Sequence, residues 1–201
     1  VADAGYWRDL IALAERYDFQ VFADECYSEI YRDVPPVGVL QCIGGADPER
    51  VVAFHSLSKR SNLPGLRSGF VASGPQSIAR MKQLRAYSGA PVPLPLQRVS
   101  EALWADDTHV LENRALYAEK YALADEILGH VPGYLSPQAG MFLWVPVEDG
   151  EAAVLKLWQE TGVRALPGAY LSRETAGGNP GQGFVRVAMV APFHETQDGL
   201  I

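Results

Sequence analysis

The stretch VVAFHSLSKRSNLPGLRSGFVASG, residues 51–74, decides the fold. An apolar run from Val51 to Phe54 stops at His55, and a second run, SGFVASG, covers residues 68–74. Between them lie Ser56, Ser58, Lys59, Pro64, Gly65 and Arg67. Two short apolar runs joined in this way read as buried strands with a polar connection. VFADE, residues 21–25, is a third such run and ends in two carboxylates. Three buried strands with helical or looped connections predict an open, mostly parallel α/β sheet. Ligands bind such sheets at the carboxyl ends of the strands. Asp24, Glu25 and Ser56 stand at such ends, so two strand ends face one site.

Outward from the sheet, YWRDLIALAERYDF has helical apolar spacing at Trp7, Leu10, Ile11, Leu13 and Ala14. QSIARMKQLRAYS predicts a helix after the third strand. Pro91, Pro93 and Pro95 are expected to stop any helix in APVPLPLQ, with a new helix over Leu96 to Trp104. DTHVLENRALYAEKYALADEILGHV is a long helix with Asp107 or Thr108 as its cap. Beyond it the pattern becomes α+β: strand AGMFLWVPV, helix GEAAVLKLWQETG, short strand VRALPG and strand FVRVAMV. A domain boundary is therefore expected inside the helix 107–129, giving domains 1–115 and 116–201. ETAGGNPGQG reads as a solvent loop, because it fits neither the dinucleotide fingerprint nor the Walker loop.

The 201 residues are 48% hydrophobic and 20% charged, enough to bury a real core. A net charge of −7 argues against a nucleic-acid partner. No apolar run reaches the length of a membrane span, and VADAGYWRDL lacks the pattern of a signal peptide. Cys26 and Cys42 read as free thiols of a reducing compartment, with no role assigned. The four histidines show no metal-ligand spacing, and His55 reads as a plain strand-end residue.

Lys59 carries three competing readings. By base rate it is a solvated loop lysine. Ser56-Leu57-Ser58-Lys59 also matches S-x-x-K, the serine acyl-transfer motif. That motif needs S-D-N and K-T-G partners, which are absent, and its serine opens a helix rather than ending a strand. The third reading is a Schiff-base lysine for a carbonyl cofactor. Pyridoxal 5′-phosphate requires a lysine, an anion opposite the ring nitrogen and a phosphate cradle. Lys59, Asp24 and the set Ser56, Ser58 and Arg67 supply them, which raises this reading above the first. Tyr27 could point back to the site from a helical turn after the strand, or simply pack. Arg186 lies inside the apolar strand FVRVAMV and needs a structural ion pair or a ligand carboxylate.

VFADECYSEIY, SLSKRSNLPGLRSGF, PQAGMFLW, ALPGAYL and FVRVAMV follow one another in that order. Together they resemble the class I/II aminotransferases of the type I pyridoxal-phosphate fold, over nearly the whole chain. The lysine segment resembles most the bacterial succinyldiaminopimelate aminotransferase branch. The resemblance implies Lys59 as the cofactor-binding lysine, Asp24 as partner of the ring nitrogen and Tyr27 as partner of the ring's phenolic oxygen. It implies Ser56, Ser58 and Arg67 at the phosphate and Arg186 at the substrate carboxylate. It further implies the C-terminal half of a longer enzyme: the remainder of a large domain, then a small domain. Expected with it are an amino-acid donor, a 2-oxo acid acceptor, a homodimer and a cytoplasmic location. Other reactions on the same fold remain open (a β-lyase, a decarboxylase, an acyl-CoA condensing enzyme), as does the effector domain of a transcription regulator.

Overall fold

Strands β1 (Val21–Asp24) and β2 (Val51–Ser56) run parallel in the computed structural model, which describes residues 1–89 and 91–201. Their register pairs Val21 with Val51 and Asp24 with Phe54, so both carboxyl ends reach the same rim of the sheet. Strand β3 (Gly69–Ser73) pairs antiparallel with β2, with Ser56 opposite Gly69. The sheet order is β1-β2-β3, an open α/β sheet in which one of two pairings is parallel. Burial falls across it. Val51, Val52 and Ala53 are buried, whereas Gly69 and Phe70 on β3 are exposed.

Helix α1 (Ala4–Tyr17) covers one face of this sheet. Asp3 caps it by accepting from the Tyr6 amide at 2.8 Å. Ile11 packs with Ala23, Val39, Cys42, Val51 and Ala53, and Trp7 packs at the margin. The Trp7 indole donates to the Val37 carbonyl at 3.0 Å, which ties the loop after β1 to the helix. The helical turn expected at Tyr27 does not form an α-helix. Residues 26–29 are successive turns, with the Ser28 amide donating to the Glu25 carbonyl at 3.1 Å. Pro35 and Pro36 follow soon after and leave little room for a helix.

The β2–β3 connection holds a single helical turn, α2 (Leu57–Arg60), then a 3₁₀ turn at Pro64–Leu66. Helix α3 (Pro75–Tyr87) follows β3, and α4 (Leu94–Trp104) follows α3. Pro95 does not stop α4; it lies in the first turn, where a missing amide costs nothing. Helix α5 (Thr108–Leu128) is the long helix of the sequence. Its first amide, Thr108, donates to the Asp106 carboxylate at 2.9 Å. Asp107 holds the N-cap position, its carbonyl accepting from the Leu111 amide at 3.0 Å, while its carboxylate is engaged by Arg60 and the side-chain bond comes from Asp106.

The chain divides into two units, Val1–Arg114 and Ala115–Ile201, and the division falls inside α5. The second unit is built on β4 (Phe142–Pro146), β5 (Leu166–Pro167) and β6 (Phe184–Ala188). They form an antiparallel sheet in the order β4-β6-β5. Helix α6 (Gly150–Thr161) packs on it, capped by Asp149, and α7 (Phe193–Leu200) follows β6. Tyr121 is buried and its hydroxyl donates to the Gly140 carbonyl.

Candidate active site

Asp24 is the last residue of β1, and its carboxylate is exposed at the sheet rim. One oxygen accepts from the Cys26 amide at 3.1 Å. The Cys26 thiol lies 3.9 Å from the Phe54 carbonyl at the end of the neighbouring strand. Burial, a hydrogen bond to Asp24 and the Asp24 charge push this thiol up to about 12, against a smaller downward pull from Lys59. The thiol therefore feels both the carboxylate and the amine. Tyr27 brings its ring to 5.7 Å from the Lys59 ammonium, measured to the ring centroid. Among the described residues, the Lys59 ammonium has no hydrogen bond or ion pair, and it is half-buried.

Ser56 has two local roles. It ends β2, and its hydroxyl caps α2 by accepting from the Ser58 amide at 3.1 Å. The two hydroxyls lie 2.9 Å apart. Ser56 thus opens a helical turn as well as ending a strand. The acyl-transfer reading still lacks its two partner motifs. The Leu57 amide donates to the Ser68 carbonyl at 3.1 Å, which brings residues 67–69 alongside 56–57. Arg67 sits in the left-handed region (φ 53°) and is exposed. One guanidinium nitrogen donates to the Pro64 carbonyl at 2.7 Å, which sets its direction and leaves its other donors available. Asp24, Cys26, Tyr27, Ser56, Ser58, Lys59 and Arg67 all belong to the first unit.

Arg186 belongs to the second unit, on the central strand β6. It stands opposite Trp144 on one side and Leu166 on the other. Its guanidinium lies 4.3 Å over the Phe142 ring. Among the described residues no carboxylate pairs with it, which disfavours the structural ion pair. A half-buried guanidinium stacked on a ring keeps its fork of donors for a planar anion.

Three features of the site region escaped the sequence reading. Arg60 is buried and reaches partners more than forty residues away. His55 stacks on Phe70 at 4.8 Å and lies 3.3 Å from the Glu25 carboxylate. Glu25 in turn accepts from the Val39 amide at 2.6 Å, so it braces the loop after β1 and leaves Asp24 as the open carboxylate. The one usable signal was an arginine beside a lysine in a short connection. Lys120 gives the contrast to Lys59. Its ammonium is spent on the carbonyls of Met189 at 3.0 Å and Ala191 at 2.6 Å.

The donor set suits one class of ligand: an aromatic aldehyde with a basic ring nitrogen, a ring oxygen and a phosphate. The amine would answer the aldehyde, the carboxylate the ring nitrogen and the phenol the ring oxygen, with the two hydroxyls and the guanidinium together left for the phosphate.

The family model for aminotransferase class I and II matches residues 1–198. The 4-dedimethylamino-4-oxo-anhydrotetracycline transaminase OxyQ of Streptomyces rimosus is 35% identical over 187 residues, covering 92% of this chain and 50% of that protein. An LL-diaminopimelate aminotransferase of Nitratidesulfovibrio vulgaris is 30% identical over 196 residues, 94% of this chain and 48% of that one. Among solved structures, an aminotransferase from Neisseria meningitidis matches with a TM-score of 0.94 and 40% identity, over 100% of this chain and 52% of that one. A probable N-succinyldiaminopimelate aminotransferase from Thermus thermophilus matches at 0.86 and 30% identity, covering 100% and 53%. The chain thus spans about half the length of the relatives it matches. The family and its fold depend on pyridoxal 5′-phosphate.

Proposed function

The chain belongs to the class I and II aminotransferase family, and we propose that, as part of a longer protein, it moves an amino group between an amino acid and a 2-oxo acid such as 2-oxoglutarate. The observation that carries this reading is the cluster at the ends of β1 and β2. A lysine amine without a hydrogen bond among the described residues stands near the Tyr27 ring, beside a thiol that also senses the Asp24 carboxylate. Pyridoxal phosphate, when bound, supplies an aldehyde that condenses with amines and a ring that takes up the electron pair left by a departing α-proton.

The remaining work falls to this chain's residues. Lys59 holds the cofactor, then takes the proton from the substrate Cα and returns one during transfer. Its reach is set by α2, whose backbone is fixed at the strand end. With the cofactor bound, the Asp24 carboxylate would keep a proton on the ring nitrogen. Tyr27 would donate its hydroxyl to the ring oxygen. Ser56, Ser58 and Arg67 would hold the phosphate through two hydroxyls and a guanidinium. Arg186 takes the substrate α-carboxylate and so fixes the direction of the Cα–H bond.

Two of the named relatives support a dicarboxylic amino donor of the diaminopimelate type, N-succinylated or free, and hence a place in lysine biosynthesis. We further propose a cytoplasmic homodimer for the longer protein. The test is reduction of the full-length protein with borohydride after adding pyridoxal phosphate, with mass mapping of the modified lysine. Lys59 should carry the label, and a Lys59→Ala variant should lose it. Asp24→Ala should weaken cofactor binding and lower transamination by roughly 100-fold or more. Amino transfer should require an added 2-oxo acid; release of ammonia or carbon dioxide without one would move the protein to another reaction on this fold. No labelling at Lys59 would overturn the reading.

A further inference from the structure

Lys59 sits on a helix of four residues, Leu57–Arg60. A single turn is not stable by itself, because nucleation costs more than its few hydrogen bonds return. Among the described residues the Lys59 ammonium makes no hydrogen bond or ion pair, and the Tyr27 ring at 5.7 Å is a loose, non-directional contact. Its position must therefore come from the backbone of its turn, and that backbone must be held from outside.

The two residues after Lys59 do this. Arg60 is 5% exposed. Its guanidinium donates to the Leu103 carbonyl at 2.7 Å and to the Asp107 carboxylate at 2.5 Å. It also faces the Asp106 carbonyl at 3.4 Å, and it lies 5.0 Å over the Trp104 ring. These acceptors are the end of α4 and the two residues that lead into α5. The Ser61 hydroxyl lies 2.8 Å from His109 Nε2. His109 Nδ1 lies 2.9 Å from the Asp106 carboxylate, which also accepts from the Thr108 amide at 2.9 Å. Both anchors end on the same α4–α5 junction. Leu57, fully buried, pins the other end of the turn. Successive helical residues point about 100° apart. With Arg60 locked into the junction, Lys59 is turned away from it and toward Tyr27.

We propose that Arg60, with Asp107 as its counter-ion and the Ser61–His109–Asp106 chain beside it, is the positioning residue for Lys59. The α4–α5 junction is the fixed point against which the reactive amine is aimed. This rests on the aminotransferase reading for its kinetic consequence but not for its structural one. The Arg60 guanidinium is spent on Leu103, Asp106 and Asp107, so it acts through the backbone of α2. A flexible amine in place of the planar fork would reach one acceptor at a time, so Arg60→Lys should be intermediate between the parent and Arg60→Met.

The experiment uses the full-length protein and three variants, Arg60→Met, Arg60→Lys and Asp107→Asn. The last keeps the side-chain size and guards against outright misfolding. Amide hydrogen exchange is followed without cofactor at residues 57–61, and transamination is measured with cofactor. Exchange in this segment should be roughly tenfold faster in Arg60→Met, with protection elsewhere unchanged. The turnover number should fall roughly 10- to 100-fold with little change in the Michaelis constant, because the amine is misplaced while substrate binding is intact. Asp107→Asn and Arg60→Lys should show both effects more weakly. Unchanged exchange at 57–61 overturns the proposal, and so does an equal rise across the whole first unit, which would make Arg60 a general stabiliser. If Lys59 in the parent takes no borohydride label while exchange responds as stated, the clamp stands and the aminotransferase reading falls.

Discussion

Cys26 stands between Asp24 and Tyr27 in sequence and close to Lys59 in space, so its titration reports on the site's charges. Burial, then the hydrogen bond and charge of Asp24, raise it to about 12. At neutral pH the thiol stays protonated and is a poor nucleophile. In the cofactor-free full-length protein, alkylation of Cys26 by iodoacetamide should still be accelerating with pH well above 9.0, the ordinary thiol value. Asp24→Asn removes the charge, so the profile should move to lower pH. A profile that bends near 9.0 in both proteins would remove Cys26 from the neighbourhood of the Asp24 carboxylate. At this scale the sequence was informative wherever a role is local. Lys59, Ser56 and Ser58 lie within four residues, and Asp24 ends its own strand. Arg60 was not legible, since its acceptors at Leu103 and Asp107 become neighbours only when the chain folds back.

Helices α1, α2 and α6 are capped by the residue before them, but α3 is capped from another element. Helix α3 begins at Pro75 with Gly74 before it, and Gly74 has no side chain to cap with. The Glu49 carboxylate fills that role, accepting from the Gln76 amide at 2.8 Å and the Ser77 amide at 2.7 Å. A Cβ at Gly74 would strike this carboxylate, so the glycine makes room for it. Partial burial tends to raise the Glu49 pKa. The two amides, the Ser77 hydroxyl and Arg80 outweigh it, and the group titrates below its usual 4.5. A carboxylate lowered by folding stabilises the native state above its unfolded value, and that contribution is lost as pH falls below it. Glu49→Gln should therefore lower the melting temperature at pH 7, and the gap to the parent should close as pH drops through about 4.5 and below. An equal gap at both ends of that range would mean that the cap does not depend on charge. The sequence could not offer Glu49 as a cap, because it lies far upstream of the helix it serves. At α5 the N-cap position at Asp107 is legible, but the carboxylate there is committed to Arg60 and the side-chain bond comes from Asp106. Pro95 was misjudged on the opposite ground, because a proline stops a helix only beyond its first turn.

For the whole molecule, surface area is the measure that matters. The first unit leaves large apolar side chains open to solvent. Phe22 is 62% exposed, Leu84 64% and Tyr87 89%. Exposed apolar surface of this extent needs a cover, and the chain spans only about half the length of its relatives. The strands of the first unit read as buried in the sequence, yet the first two residues of β3, Gly69 and Phe70, are exposed and the other three only partly buried. Residues 1–201 made alone should bind an apolar dye and self-associate at micromolar concentration. The full-length protein should do so far less per mole and should melt at a higher temperature. Dye fluorescence and sedimentation of the two proteins side by side provide the measurement. A monomeric, dye-silent fragment that melts with the full-length protein would mean that these faces are stable in water and need no cover.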